Sequence, residues 1–306
     1  MERNDARTVV IGDALIDEMR DGETSRDFVG GAALNVAVGL ARLGVPTTLI
    51  AMVGDDADGA SIRSFLDLHG VDLIATPGPL GSSRATSDRT DGEPRYSFNE
   101  AAQKRRIVFG DEERLAIADA PLVVVSCFPF DDDEQSAALE ESVLNPGRRL
   151  VIDPNPRAGM LHDPAAFVLN FERLAAASLL TKVGDEDAEL LYGIALADLV
   201  GRLRFAGTAH VLATAGRAGA EIVSAFGRVV APIADLPGPV IDTMGAGDAT
   251  LAATVHALAT GGIPRGLDAW KRVLDEAMLI AGWTCRTEGA LLQLPPVPDT
   301  TGRIRL

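Results

Sequence analysis

Lysine is nearly missing from this 306-residue sequence, which has only Lys104, Lys182 and Lys271. None of the three follows a glycine, so there is no Gly-x-x-x-x-Gly-Lys-Ser/Thr loop and the common NTPase device for gripping phosphate is excluded. Cysteine and histidine are also scarce. Cys127 and Cys285 lie far apart, and His69, His162, His210 and His256 are scattered without metal-ligand spacing, so no zinc site is expected. Cys127 follows the apolar run Leu122 to Val125 and reads as a buried free thiol, which suits a reducing cytoplasm. Positive charge is in short supply, with 28 Lys and Arg against 44 Asp and Glu and a net charge of −16. Such a field repels nucleic acid, and any nucleotide must be held locally by helix N-termini, single arginines and Mg²⁺. The N-terminus is polar through Arg7, and no apolar run nears the length that crosses a bilayer, so neither secretion nor a membrane partner is expected. Gly12 is not followed by Gly-x-x-Gly, which argues against a dinucleotide fold.

What is present is the composition of a compact globular chain, 47% hydrophobic and 24% charged. The length sits at the upper end of what one core supports, which favours one large domain with a smaller appendage. Thr8 to Ile11 reads as a buried strand breaking at Gly12-Asp13, a place where open α/β sheets bind ligands. Gly30-Gly31 then precedes an apolar helix from Ala32 to Leu43, in which Asn35 is the odd polar residue. Asn35 is either a satisfied core amide or a partner for a substrate hydroxyl. A strand over Thr47 to Val53 and a helix over Ala60 to Leu68 continue a β-α alternation. Later runs at Leu122, Leu150, Leu179, His210 and Glu221 extend it into a parallel, doubly wound sheet, with crossover helices over 137–144, 186–192, 196–205 and 271–283. Alternation between Ser82 and Phe109 around Asp91-Gly92-Glu93-Pro94 signals a hairpin, read as part of a small antiparallel sheet completed by the polar segment Asp13 to Asp27.

The densest chemistry lies in Asp242-Thr-Met-Gly-Ala-Gly-Asp-Ala-Thr250. A Gly-Ala-Gly turn opens a helix whose first N–H groups have no intrahelical partner, so backbone at Gly245, Ala246 and Gly247 makes an anion cradle. Asp248 places a second negative charge beside it. That carboxylate is either a helix cap or a base that takes the proton of an attacking hydroxyl. After the strand Leu150 to Ile152, Asp153-Pro-Asn-Pro-Arg157 forms a rigid turn presenting a carboxylate, an amide and a guanidinium. Lys182-Val-Gly-Asp-Glu-Asp187 is an acidic helix start, for which dipole complementarity alone suffices. Thr214-x-Gly216-x-x-Gly219 follows a strand, and a hairpin with glycine turns is its plainer reading.

Asp-Thr-x-Gly-Ala-Gly-Asp at 242–248 is similar to the C-terminal signature of the ribokinase-like, or PfkB, carbohydrate kinases, and Gly30-Gly31-x-x-x-Asn35-x-Ala37 resembles their N-terminal one. Asp-Pro-Asn-x-Arg and Gly92-Glu-Pro-Arg-Tyr96 look most like fructokinases. The resemblance implies a ribokinase-like fold: an α/β core over 1–12, 29–83 and 109–306, and a β lid over 13–28 and 84–108. It implies an ATP-dependent sugar kinase using Mg²⁺, with fructose the first candidate and 2-keto-3-deoxygluconate or ribose next. A sugar or nucleotide sensor on the same scaffold is the non-catalytic alternative. In the family pattern Asp248 is the base, and Asp13, Gly30, Gly31, Asn35 and Arg157 meet the sugar. Lys182, Thr214, Gly216, Gly219 and Thr243 meet ATP. Asp187 stands where the family's Mg²⁺-organising Glu does, with Gly184 replacing its Asn, and Asp242 stands near a monovalent cation, K⁺ in some relatives. Relatives also suggest a homodimer formed through the lid.

Overall fold

The computed structural model describes residues 7–22, 24–88, 95–144 and 149–296. Its strands, in chain order, are β1 (Thr8–Gly12), β2 (Leu15–Asp21), β3 (Thr24–Gly30), β4 (Thr47–Val53), β5 (Val71–Pro77), β6 (Ser83–Asp88) and β7 (Arg95–Phe98). They continue as β8 (Val123–Ser126), β9 (Leu150–Asp153), β10 (Leu180–Gly184), β11 (His210–Thr214), β12 (Ala220–Ser224) and β13 (Gly227–Ala231). Nine of them form one sheet in the order β13-β12-β11-β10-β9-β8-β1-β4-β5. Every pair from β11 to β5 is parallel, and β12 and β13 close one edge antiparallel. The run at Glu221 therefore does not extend the parallel sheet: five residues separate β11 from β12, too few for a crossover helix.

The parallel strands are apolar on both faces because helices cover both, and their alternate residues feed two separate cores. Val10, Val124, Val151, Leu180 and Leu212 face one, packed by α1 (Ala32–Arg42), α2 (Ala57–Leu68) and two long C-terminal helices, Ala246–Gly261 and Leu267–Thr284. Val9, Ile11, Val125, Ile152 and Val211 face the other, under the helices between Asp111 and Ala206. The chain runs outward from β1 to β4 and β5, then returns to the other side of β1 and runs outward again from β8 to β11. The direction reverses between β1 and β8, and a crevice opens beyond the carboxyl ends of those strands.

A second sheet of four strands, β3-β2-β6-β7, stands apart from the first. It is mixed rather than antiparallel, since its central pair, β2 and β6, runs parallel. The reason is topological: β2 continues from the end of β1 and β6 follows the end of β5, and those two strands point the same way in the large sheet. The hairpin turn read at 91–94 lies outside the described residues. Arg84 of β6 fastens the small sheet to the core, pairing with Asp58 of α2 and, at 2.6 Å, with Asp27 of β3. Among the described residues no helix is long and apolar enough to cross a membrane.

Candidate active site

At the end of β1 the chain turns so tightly that a Cβ on Gly12 would sit 1.8 Å from the Ser126 carbonyl oxygen. This close approach carries Asp13 over the start of α1, where its Oδ1 accepts from Ala33 N at 2.9 Å. Gly31 caps that helix with φ 111°, and a Cβ on it would meet the Asp13 carbonyl at 2.8 Å. Both glycine positions are thus demanded by backbone geometry. Burial pushes the Asp13 carboxyl above the usual carboxylate range, against the pull of the Ala33 N–H, Arg157 and Arg105. A Cβ on Gly30 would sit 2.3 Å from Oδ2 of Asp17, a residue of β2 that the sequence reading passed over. Asp17 is pushed up to about 6 by burial and by Asp13. Its only trace in the sequence is a carboxylate inside a polar segment, which nothing distinguishes from a solvated one.

Asn35 reaches across from α1, and its Nδ2 donates to Oδ2 of Asp248 at 2.9 Å. The oxygen of that amide, Oδ1, is buried without a partner and so can still accept a hydroxyl proton. Asp248 is the third residue of the helix Ala246–Gly261 and makes no capping bond, so the cap reading fails. The first intrahelical bond runs from Ala249 N to Gly245 O at 2.8 Å, which leaves the Gly247 and Asp248 N–H groups at the open end of the helix. Gly245 holds the turn with φ 74°, its Cα so close to Ala290 that a Cβ would lie 2.0 Å from that carbonyl oxygen. Burial pushes Asp248 up to about 7, with Asp153 adding to the effect and Asn35, Lys182 and Arg157 opposing it.

Lys182 of β10 is buried beside this turn, its Nζ 3.0 Å and 3.1 Å from the two carboxylate oxygens of Asp153. Burial opposes its charge, yet Asp153, Asp187 and Asp248 together keep the ammonium protonated above the usual lysine range. A Cβ on Gly247 would stand 3.4 Å from that Nζ, so the glycine leaves open the space between the ammonium and the helix end. Asn155, with φ 38°, bends the Asp153–Arg157 turn so that Arg157 lies among Cys127, Asp248, Asp13 and Asp153. Asp187 accepts from Gly184 N at 2.7 Å and caps its helix, while burial pushes it up to about 6 against the pull of Lys182. Among the described residues no group of three or more His, Cys, Asp or Glu side chains could hold a metal. The arrangement instead suits an ion that arrives with phosphate oxygens and needs one carboxylate.

The remaining predicted residues lie around this group. Thr214 ends β11 against Gly184, and Gly216 and Gly219 shape the β11–β12 connection, so that segment is a hairpin. Thr243 is exposed and its carbonyl accepts from Ala246 N. Asp242 is a turn acid, accepting from Met244 N at 2.9 Å and Gly289 N at 3.2 Å. The structure therefore draws together Asp13, Gly30, Gly31, Asn35, Arg157, Lys182, Gly247 and Asp248, and adds Asp17, Asp153 and Arg105.

The sequence profile described as pfkB family carbohydrate kinase matches residues 6–295. The chain is 30% identical over 301 residues to a fructokinase of Klebsiella pneumoniae, covering 95% of this chain and 96% of that protein. It is 33% identical over 285 residues to an ATP-dependent ribose-1-phosphate kinase of Halopiger xanaduensis, covering 88% of this chain and 86% of that one. Among solved structures, a fructokinase with bound ATP from Xylella fastidiosa superposes with a TM-score of 0.79 at 20% identity, over 94% of each chain.

Proposed function

The chain belongs to the pfkB family of carbohydrate kinases, and from that membership we propose that it transfers the terminal phosphoryl group of ATP to a primary hydroxyl of a small sugar, with Asp248 as general base. The observation that carries this reading is a buried carboxylate, raised to about 7, beside the open N-terminus of a helix and within the field of a buried lysine. A base poised near neutral pH next to an anion cradle is what phosphoryl transfer to an alcohol requires.

In this mechanism Asp13, Asp17 and Asn35 orient the sugar hydroxyls, and the second Asp248 oxygen accepts the proton of the attacking one. The new bond joins that hydroxyl oxygen to the terminal phosphorus. The bond from phosphorus to the bridging oxygen breaks, and its electron pair leaves on ADP. The Gly247 and Asp248 N–H groups and Lys182 take the charge that builds on the moving phosphoryl. Arg157 and Lys182 also keep Asp248 ionised while substrate shuts out water. Mg²⁺ bound with ATP would neutralise phosphate charge, with Asp187 holding it through water. Thr214, Gly216, Gly219 and Thr243 are assigned to the nucleotide side, and the small sheet to a lid that excludes water.

Fructose is the acceptor that the fructokinase relative supports. The decisive experiment is Asp248→Asn assayed for ATP-dependent phosphorylation over a sugar panel. Turnover is expected to fall by about 10²–10⁴-fold, the usual worth of a general base, with folding intact by circular dichroism. Activity within a few-fold of the parent would remove Asp248 from the role.

A further inference from the structure

The segment Lys104-Arg105-Arg106 leaves the short helix Glu100–Gln103 and brings the chain back from the small sheet to the large one. It is fastened just beyond: Ile107 N donates to Gln135 Oε1 at 2.6 Å and Val108 N to Thr76 Oγ1 at 2.9 Å. Held so, Arg105 lines one recess together with Gly12, Asp13 and Cys127, on the sugar side of the site. Its Nε is shut off from solvent and has no hydrogen-bond partner, and its Nη1 reaches only the Ala102 carbonyl, at 3.4 Å. A guanidinium nitrogen buried without an acceptor is costly, and an anion is the acceptor that best relieves it. Arg106 lines the same recess and an adjoining cavity of about 440 Å³, whose wall also includes Met52, Leu80 and Lys104.

Arg157 is open to solvent and its side chain makes no hydrogen bond or ion pair among the described residues. Asp13 and Cys127 feel the charges of both Arg105 and Arg157. Burial pushes the Cys127 thiol far up, so it stays neutral and supplies no counter-charge. Asp248 is held by the Asn35 hydrogen bond and by the charges of Asp153, Lys182 and Arg157. The recess that Arg105 lines includes Asp13 but none of Asn35, Lys182, Gly247 and Asp248, so Arg105 stands on the side of the site away from the transferring phosphoryl. A neutral hexose would leave its orphaned nitrogen without a charged acceptor.

We propose that the preferred acceptor is a sugar with an anionic group, carboxylate or phosphate, at the end remote from the phosphorylated hydroxyl, and that Arg105, assisted by Arg106, selects it. The proposal rests on the kinase reading above and moves the preferred acceptor from neutral fructose to a sugar acid or sugar phosphate.

Calorimetric binding of fructose, fructose 1-phosphate and 2-keto-3-deoxygluconate to the full chain tests it without needing turnover. One of the anionic sugars is expected to bind at least about tenfold more tightly than fructose, the scale of one charge-assisted hydrogen bond. That preference should vanish in Arg105→Met and return in part in Arg105→Lys, which keeps the charge and loses the fork. Which anionic sugar binds better separates phosphate from carboxylate. Equal or absent binding of all three, or an anion preference that survives Arg105→Met, overturns the proposal. So does a loss of fructose binding as large as that of the anionic sugars, because Arg105 would then serve only to neutralise Asp13. Turnover of the same sugars with ATP judges the kinase reading separately: selective binding with no phosphorylation supports the anion site and counts against the kinase.

Discussion

The carboxyl of Asp248 is held near neutrality by opposed forces: burial and Asp153 raise it to about 7, and the Asn35 hydrogen bond, Lys182 and Arg157 restrain it. A base works only when deprotonated, so kcat/KM should rise with pH through about 7 and level off above. Removing the Asn35 amide in Asn35→Ala takes away a bond that favours the charged form, so the acid limb should move to higher pH. A limb that stays where it was, or that lies near pH 4 in the parent, would speak against the assignment. The same shift has a stability consequence. Because the folded pKa lies above the unfolded value, the native state binds more protons between pH 4 and 7, and stability falls as pH rises through that window. Asp248→Asn should therefore raise the melting temperature at pH 8, by the equivalent of about 2–4 kcal/mol, and the gain should shrink toward pH 4. Equal melting temperatures of the two proteins at pH 8 would mean that the carboxylate is not strained by burial. None of these magnitudes is legible in Asp-Thr-x-Gly-Ala-Gly-Asp itself. The motif names the acid, while the partners that tune it come from three other elements.

At the scale of elements, the helix Ala246–Gly261 depends on two glycines that the sequence presents as equivalent. Gly245 has φ 74° and no room for a Cβ against Ala290. Gly245→Ala is expected to destabilise the fold by more than about 2 kcal/mol, read by urea unfolding. Gly247 has helical backbone, and its missing Cβ only keeps space open beside the Lys182 ammonium. Gly247→Ala should leave unfolding free energy within about 1 kcal/mol of the parent and still lower ATP-dependent turnover at least about tenfold. If Gly247→Ala loses stability and keeps activity, the space above Lys182 is not a phosphate site. The small sheet teaches a related lesson. Residue alternation between Ser82 and Phe109 signals a hairpin, but it could not say that β2 and β6 run parallel, because strand direction follows from where the two entry points leave the large sheet.

At the scale of the whole molecule, the best-connected cation between the small sheet and the core is Arg84, and Arg26 of β3 makes a second tie to Glu288. Arg84 engages Asp58 on α2 and Asp27 on β3, and approaches Glu18 on β2 at 3.8 Å. Partly exposed pairs of this kind contribute little to global stability. Arg84→Met should therefore shift the melting temperature by only about 1–3 °C, the equivalent of about 1 kcal/mol or less in a chain of this size. Its effect should instead fall on closure: a several-fold higher KM for sugar and more ATP hydrolysis without sugar, measured as ADP release against sugar phosphate formed. Unchanged coupling in that variant would show that the Arg84 tie does not control the small sheet.

The sequence by itself determined the alternating α/β plan, the glycine turns and the family, because apolar periodicity, positive-φ glycines and short motifs are local properties that neighbouring residues carry. It also named Asp248, Asn35, Asp13 and Lys182. Only the tertiary structure decided that Asp187 and Asp242 accept from backbone N–H groups, that Asp153 is the buried partner of Lys182, and that Asp17 and Arg105 come to lie beside Asp13. Those outcomes depend on burial and on charges brought together from distant strand ends. Such energies arise from distances in space, and spacing along the chain does not encode them.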